Sequence, residues 1–154
     1  MLYAAAETVP EEVVEMKTSG GQLRTKQVTG SDSSLTIATR TPGYHSQPHF
    51  HDCEQINYVT AGEIWVFVED RAFHLRPGDF LRIPPSAMHW AWNRSDQDVE
   101  LIELHTPGLL LDGVIPVALL DESEVARELV PSGWGPTAVR TVEQAAIEAM
   151  EARR

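Results

Sequence analysis

The 154-residue chain has a single cysteine, Cys53, so it can form no internal disulfide and a reducing compartment is the natural expectation. Basic residues are scarce: 12 Lys and Arg stand against 23 Asp and Glu, a formal net charge of −11. A surface this acidic opposes a polyanion or an anionic membrane, and no basic helix-turn-helix segment overrides it. Nucleic-acid and membrane partners are therefore set aside. No stretch approaches the ~18 consecutive apolar residues of a membrane span. The first twelve residues carry an Ala4-Ala5-Ala6 run but neither the basic start nor the long apolar core of a signal peptide, so a cytoplasmic protein is expected. Internal repeats and low-complexity tracts are also missing, and the length suits one domain that buries roughly 68–70% of its unfolded surface.

What the chain does have is histidine at short spacing. His49 and His51 are two apart in Gly43-Tyr-His-Ser-Gln-Pro-His49-Phe-His51-Asp-Cys-Glu-Gln55, and on an extended chain they point to one face and can share an ion. Pro48 removes a backbone donor and biases Gln47 towards extended geometry, which argues against a helix. A third histidine, His89, follows the Pro84-Pro85-Ser86 turn and precedes Asn93.

This spacing resembles the cupin superfamily. Gly43, His49, His51 and Gly62 fall on its first motif, G-x5-H-x-H-x3,4-E-x6-G, with Gln55 at the glutamate position. Gly78, Pro84, His89 and Asn93 fall on the second, G-x5-P-x-G-x2-H-x3-N, with Ser86 at a glycine position. Eight of ten defining positions are kept over about fifty residues. The resemblance implies an all-β fold, an antiparallel double-stranded β-helix (jelly-roll barrel), holding one divalent metal ion near its mouth. The implied ligands are His49, His51, Gln55 and His89, and the implied ions are Fe, Zn, Ni, Mn or Cu. A glutamine oxygen is neutral, so an ion held there keeps its full charge and is more electrophilic than beside a carboxylate. Two alternatives stay open. A one-residue slip would bring Glu54 in place of Gln55, at the cost of turning the whole strand over, or the histidines fill a metal-free core.

Along the chain, residues 1–21 read as an acidic arm, 22–120 as the barrel and 121–154 as a loop and helix. Gln22–Thr29 and Leu35–Arg40 read as strands around a Gly30–Ser34 turn. Gln55–Thr60 and Glu63–Glu69 read as a hairpin joined at Ala61-Gly62. In the second of these, Ile64, Val66 and Val68 oppose Trp65 and Phe67, so both faces are apolar and the aromatic one needs cover from another sheet or subunit. Further strands are expected at Ala72–Arg76, Phe80–Ile83, His89–Asn93 and Val99–His105. Leu109–Leu120, interrupted by Gly113 and Pro116, reads as an edge strand or capping segment, and Trp134 as the anchor of a loop. Thr141-Val-Glu-Gln144 matches a capping box for a helix to about Ala152 with a stripe of Val142, Ala146, Ile147 and Met150.

Candidates for proton transfer or anion anchoring are His105, Glu103, Arg82 and Tyr58, with His45 and Tyr44 just before the first ligand. Each has a plainer reading: His105 as a hydrogen-bonded core histidine, Glu103 as an outward charge, Arg82 as an outward ion-paired arginine, His45 as a solvated loop residue, His74 as surface. Cys53 reads as a small buried filler and Asn93 as a strand-end hydrogen-bonding residue. A mouth near Trp90, Trp92 and Tyr58 suits a small, oxygen-rich, aromatic or enolised molecule. The expected function is a metal-dependent enzyme of dioxygenase or isomerase/cyclase type, and a homodimer. The alternative is a non-catalytic module binding a metal or small molecule. A sugar isomerase would want cations near the site, where Arg71, Arg76, Arg82 and Arg94 are available.

Overall fold

A computed structural model describes residues 3–16, 19–109, 115–116 and 136–153. After a 3-10 turn at Ala6–Thr8 come β1 (Glu12–Glu15), β2 (Gln22–Thr29), β3 (Ser34–Arg40), β4 (His49–Phe50), β5 (Glu54–Ala61), β6 (Ile64–Val68), β7 (Arg71–Leu75), β8 (Phe80–Ile83), β9 (His89–Trp92), β10 (Val99–Thr106), β11 (Ile115–Pro116) and the helix α1 (Pro136–Glu151). The strands form two antiparallel sheets, ordered β1-β2-β3-β10-β5-β8 and β11-β4-β9-β6-β7. The arm thus supplies an edge strand, β1, to the first sheet. The two sheets face each other around one interior, the jelly-roll arrangement that the motif resemblance implies.

β5 and β6 do not form the expected hairpin. β5 pairs with β10 and β8, while β6 pairs with β9 and β7. Ala61-Gly62 is a corner where the chain leaves one sheet for the other. Gly62 has φ 74°, and a Cβ on it would lie 2.4 Å from the Asp98 carbonyl oxygen, so the corner admits only glycine. The turn residues mark a sharp change of direction, but local sequence does not distinguish a turn within a sheet from one between sheets.

The aromatic face of β6 is covered by the chain's own helix. Trp65, Phe67, Met88 and Trp90 form a buried cluster on the outside of the second sheet, against which Val142 and Ala146 of α1 pack. Phe67 and Trp90 stack with centroids 5.0 Å apart. Glu143 accepts the Trp90 indole N–H at 3.0 Å and lies 2.6 Å from His45 Nε2, which pins the helix polar side down as well. The helix begins at Pro136, so Thr141 and Gln144 lie inside it and the capping-box reading fails. Proline at the first helical position loses no hydrogen bond, since that N–H has no partner within the helix. Ile115-Pro116 pairs with β4 at the sheet edge, where a proline costs no ladder bond. Trp134 and the rest of 110–135 lie outside the described residues, apart from β11.

The interior has two storeys. One is apolar, with Ala38, Val59, Ile64, Val66, Ile83, Val99 and Leu101 almost fully buried. The other is polar, with Ser34, Thr36, His51, Gln55, Asn57, His89, Glu103 and His105 buried. β3 and β10 supply both storeys: β3 turns Ser34, Thr36, Ala38 and Arg40 inward and leaves Leu35 and Ile37 outside, 44% and 54% exposed. Phe67→Ala, which empties the cluster under α1, is expected to lower the unfolding free energy by about 3–5 kcal/mol. Urea denaturation measures it, and a loss under about 1 kcal/mol would mean that α1 does not seal this face.

Candidate metal centre

The short strand β4 and the first residue of β9 are paired through His49 and His89, which lie directly opposite each other. His51 follows β4 by one residue and is held by the Pro84–Ser86 turn, where the Ser86 N–H donates to the His51 carbonyl oxygen at 2.8 Å. Ser86, at the position the motif gives to glycine, has φ 60°, a left-handed conformation that explains the family's preference. Gln55 opens the inward set of β5, opposite His105 of β10.

Each imidazole is fixed through its Nδ1. His49 Nδ1 lies 2.9 Å from the Gln47 carbonyl oxygen, His89 Nδ1 2.9 Å from that of Ala87, and His51 Nδ1 3.0 Å from that of Cys53. Nδ1–H donation to a carbonyl sets the tautomer and leaves Nε2 as the free lone pair. The candidate ligand atoms of the three rings lie within 4.8 Å of one another. His89 Nε2 is buried without a hydrogen-bond partner. His51 Nε2 faces Gln55 Oε1 at 3.1 Å, while the Gln55 amide nitrogen donates to Asn57 Oδ1 at 2.7 Å and reaches Glu103 Oε1 at 3.4 Å. With Nδ1–H given to Cys53, two lone pairs meet across that 3.1 Å gap, an arrangement a bound cation relieves. The donor set therefore fits a divalent ion of the imidazole-preferring kind.

Two of the three rings are held towards the neutral form. Burial pushes the His49 pKa down to about 4, and burial with the neighbouring His49 takes His89 well below the ordinary imidazole value. His105, whose ring centroid is 5.5 Å from that of His51, is also lowered by burial, against the opposing pull of Glu103. Burial alone would raise the Glu103 carboxyl, but the Arg40 guanidinium at 2.5 Å outweighs it and holds the pKa low. Burial raises the Cys53 thiol, whose Sγ lies 3.1 Å from His51 Nδ1.

The remaining candidates separate cleanly. His105 and Glu103 face the interior beside the histidines, so the reading of Glu103 as an outward charge was mistaken: its parity in β10 is that of the buried Leu101. Arg82 is 61% exposed and pairs outside with Glu54 Oε2, which removes both the inward anion anchor and the Glu54 ligand. Tyr58 stacks on Phe80 on the outer face, centroids 4.5 Å apart. Trp90 and Trp92 also face outward, towards the helix cluster, so none of the three aromatic residues lines a mouth. His45 stacks on Trp92 at 4.6 Å instead of standing in solvent, and His74 stacks on Trp65 at 4.8 Å. Asn93 is fully buried and donates to the Arg40 and Gln97 carbonyl oxygens. An apolar groove of about 660 Å³ between α1 and β7, lined by Trp65, Phe73 and Ala146 among others, lies on the outer surface away from the histidines. The residue that sequence reasoning missed is Arg40. Its inward parity with Thr36 and Ala38 was the available signal, overshadowed by the apolar Leu35 and Ile37 on the other side.

The cupin-domain family model matches residues 36–105, the span that holds both motifs. Protein SchB of Streptomyces halstedii is 31% identical over 97 residues, covering 60% of this chain and 70% of SchB. The chain belongs to the cupin superfamily. Solved cupin-like folds agree. An RmlC-like cupin from Shewanella frigidimarina superposes with a TM-score of 0.58 at 21% identity, over 73% of this chain and 95% of that one. AerE from Microcystis aeruginosa gives 0.54 at 24% identity over 62% of this chain, which spans only 45% of AerE. At these identities the likeness is one of fold. No described helix of this cupin is long and apolar enough to cross a membrane.

The lowered histidines set the acid stability of the metal-free protein. Their folded pKa values lie below ~6.5, so the unfolded chain binds more protons once the pH falls through that value. The stability present above pH ~6.5 should therefore drain away on acidification towards about 4. Urea midpoints at pH 7 and pH 5 test this, and equal midpoints would contradict it.

Proposed function

We propose that this cupin is a metal-dependent enzyme acting on a small, oxygen-rich organic substrate, of dioxygenase or isomerase/cyclase type. The observation that supports it most is the convergence of three carbonyl-pinned imidazoles on one point, with His89 Nε2 buried and unpartnered. His49, His51 and His89 would hold the ion through Nε2, with Gln55 Oε1 turned to the same point. A divalent ion there supplies Lewis-acid polarisation of a substrate oxygen and, if redox-active, access to electron transfer.

The chain's own contribution is positional. Three ring nitrogens fixed by backbone carbonyls cost little reorganisation when a ligand arrives. Gln55 keeps its oxygen aimed by donating both ways, to Asn57 and Glu103. Glu103 and His105 line the same compartment and are the groups placed to hold a proton near a bound substrate. The apolar storey of Val59, Leu101 and Ile83 closes the far end to water.

A homodimer is also proposed, on the face that the helix leaves open. Two cross-strand rows run over the outside of the first sheet, Val28-Leu35-Leu104-Ile56 and Ile37-Ile102-Tyr58-Phe80. Leu35, Ile37, Leu104 and Phe80 are 44, 54, 37 and 71% exposed, an apolar sheet surface of the kind proteins cover. Sedimentation should give twice the chain mass for the wild type and the monomer mass for Ile37→Lys. A monomeric wild type at micromolar concentration rejects the dimer.

Elemental analysis of the purified protein, with the His49→Ala/His51→Ala double variant as control, tests the main reading. Near-stoichiometric metal in the wild type and none in the variant is expected. Iron or copper then favours the oxygen-using branch, checked by oxygen uptake, and zinc favours isomerase or cyclase chemistry. Gln55→Glu is expected to retain the ion while lowering turnover. No metal after reloading turns the reading to a small-molecule binding module.

A further inference from the structure

The polar storey rests on a guanidinium whose donors are not used up. Arg40 gives one Nη2–H to Glu103 Oε1 and lies within reach of the Tyr44 side chain, while its buried Nε and Nη1 make no well-formed hydrogen bond. Its side chain is 8% exposed, and the Tyr44 ring centroid lies 5.2 Å from the guanidinium carbon. Arg40 sits opposite Val99, at the apolar level, whereas Glu103 sits opposite Thr36. The long side chain therefore runs up the barrel past the small Ala38 to reach the carboxylate. From there the contacts are continuous: Glu103 Oε1 to Gln55 Nε2 at 3.4 Å, and Gln55 Oε1 to His51 Nε2 at 3.1 Å.

We propose that Arg40 is the recognition group for an anionic oxygen, a carboxylate or enolate, on the molecule that the histidine centre handles. This rests on the metal reading above and narrows its substrate class. Charge balance argues for it. Among the described residues Glu103 is the one buried carboxylate facing the barrel interior, since Glu143 lies outside under the helix, and Glu103 is already neutralised by Arg40. With glutamine at position 55, an ion held by the histidines has no carboxylate of the chain to balance it, and an anionic ligand supplies the missing charge. The spare donors of Arg40 give that ligand its second grip, and a guanidinium is the side chain best matched to oxyanions.

A purely structural arginine looks different. Asn93, nearby and also buried, spends both its donors on the Arg40 and Gln97 carbonyl oxygens and its acceptor on the Ser95 N–H and hydroxyl. Arg40 holds donors in reserve, at a place where an unused buried donor is otherwise a cost without return.

The test is calorimetric titration of two probes, malonate as a carboxylate and imidazole as a neutral metal ligand, into the zinc-loaded and metal-free protein at pH 7. Arg40→Met is compared with the wild type. The Arg40→Met/Glu103→Leu double variant removes the ion pair whole and leaves no buried charge uncompensated, so the fold is kept if the single variant is unstable. Both variants are expected to lose malonate affinity about 10- to 100-fold, in either metal state, the loss that follows from removing a hydrogen bond to a charged group. Imidazole binding to the zinc form of Arg40→Met should stay within about threefold, as a neutral nitrogen ligand needs no cation beside the metal. Malonate binding that is absent from the wild type or unchanged in the variants, or a parallel loss of imidazole binding in Arg40→Met, overturns the assignment. Failure to take up zinc counts against the metal centre alone, because the metal-free titration still decides the role of Arg40.

Discussion

Three imidazole lone pairs are made to face one another in a buried space, and most of the structure around them exists to hold that arrangement. Left free, buried rings would turn their nitrogens towards whatever donor or acceptor lay nearest. Here each Nδ1 is tied to a carbonyl oxygen of its own local chain, Gln47, Ala87 or Cys53, so the second nitrogen has only the common centre to face. Burial then favours the unprotonated form of His49 and His89, which is the state a metal ion needs.

The barrel makes this possible by dividing its interior. The apolar storey supplies the folding energy, and the polar storey is only partly completed within itself: Gln55, Asn57, Glu103 and Arg40 are linked by hydrogen bonds, while His89 Nε2 and two nitrogens of Arg40 have no partner. The outside is divided too. One sheet is sealed by α1 through the Trp65, Phe67 and Trp90 cluster, and the other presents exposed Leu35 and Ile37.

The fold was legible where side-chain parity and motif spacing agree. His49, His51, Gln55 and His89 were readable because an i, i+2 pair on an extended chain has one geometry, and most strand boundaries followed from alternation between turn residues. What was not legible depends on distant partners. Whether Ala61-Gly62 turns within a sheet or between sheets is settled by β10 packing against β5, forty residues later in the chain. The aromatic face of β6 found its cover in a helix over sixty residues away. Arg40 goes unnoticed and Glu103 reads as outward for one reason: an isolated charge in a strand gives no sign of its partner, and only the two strands together reveal a buried pair. Trp90, Trp92 and Tyr58 were drawn to the site by proximity in sequence, although their parity is opposite to that of the histidine and glutamine beside them.

The central claim is that one divalent ion is held by three imidazoles and a neutral oxygen. X-ray absorption on the zinc-loaded protein tests it most directly. The account predicts three imidazole nitrogens at about 2.0–2.1 Å with oxygen completing the shell. Fewer than three imidazoles, or a sulfur neighbour at about 2.3 Å drawn from Cys53, would contradict it.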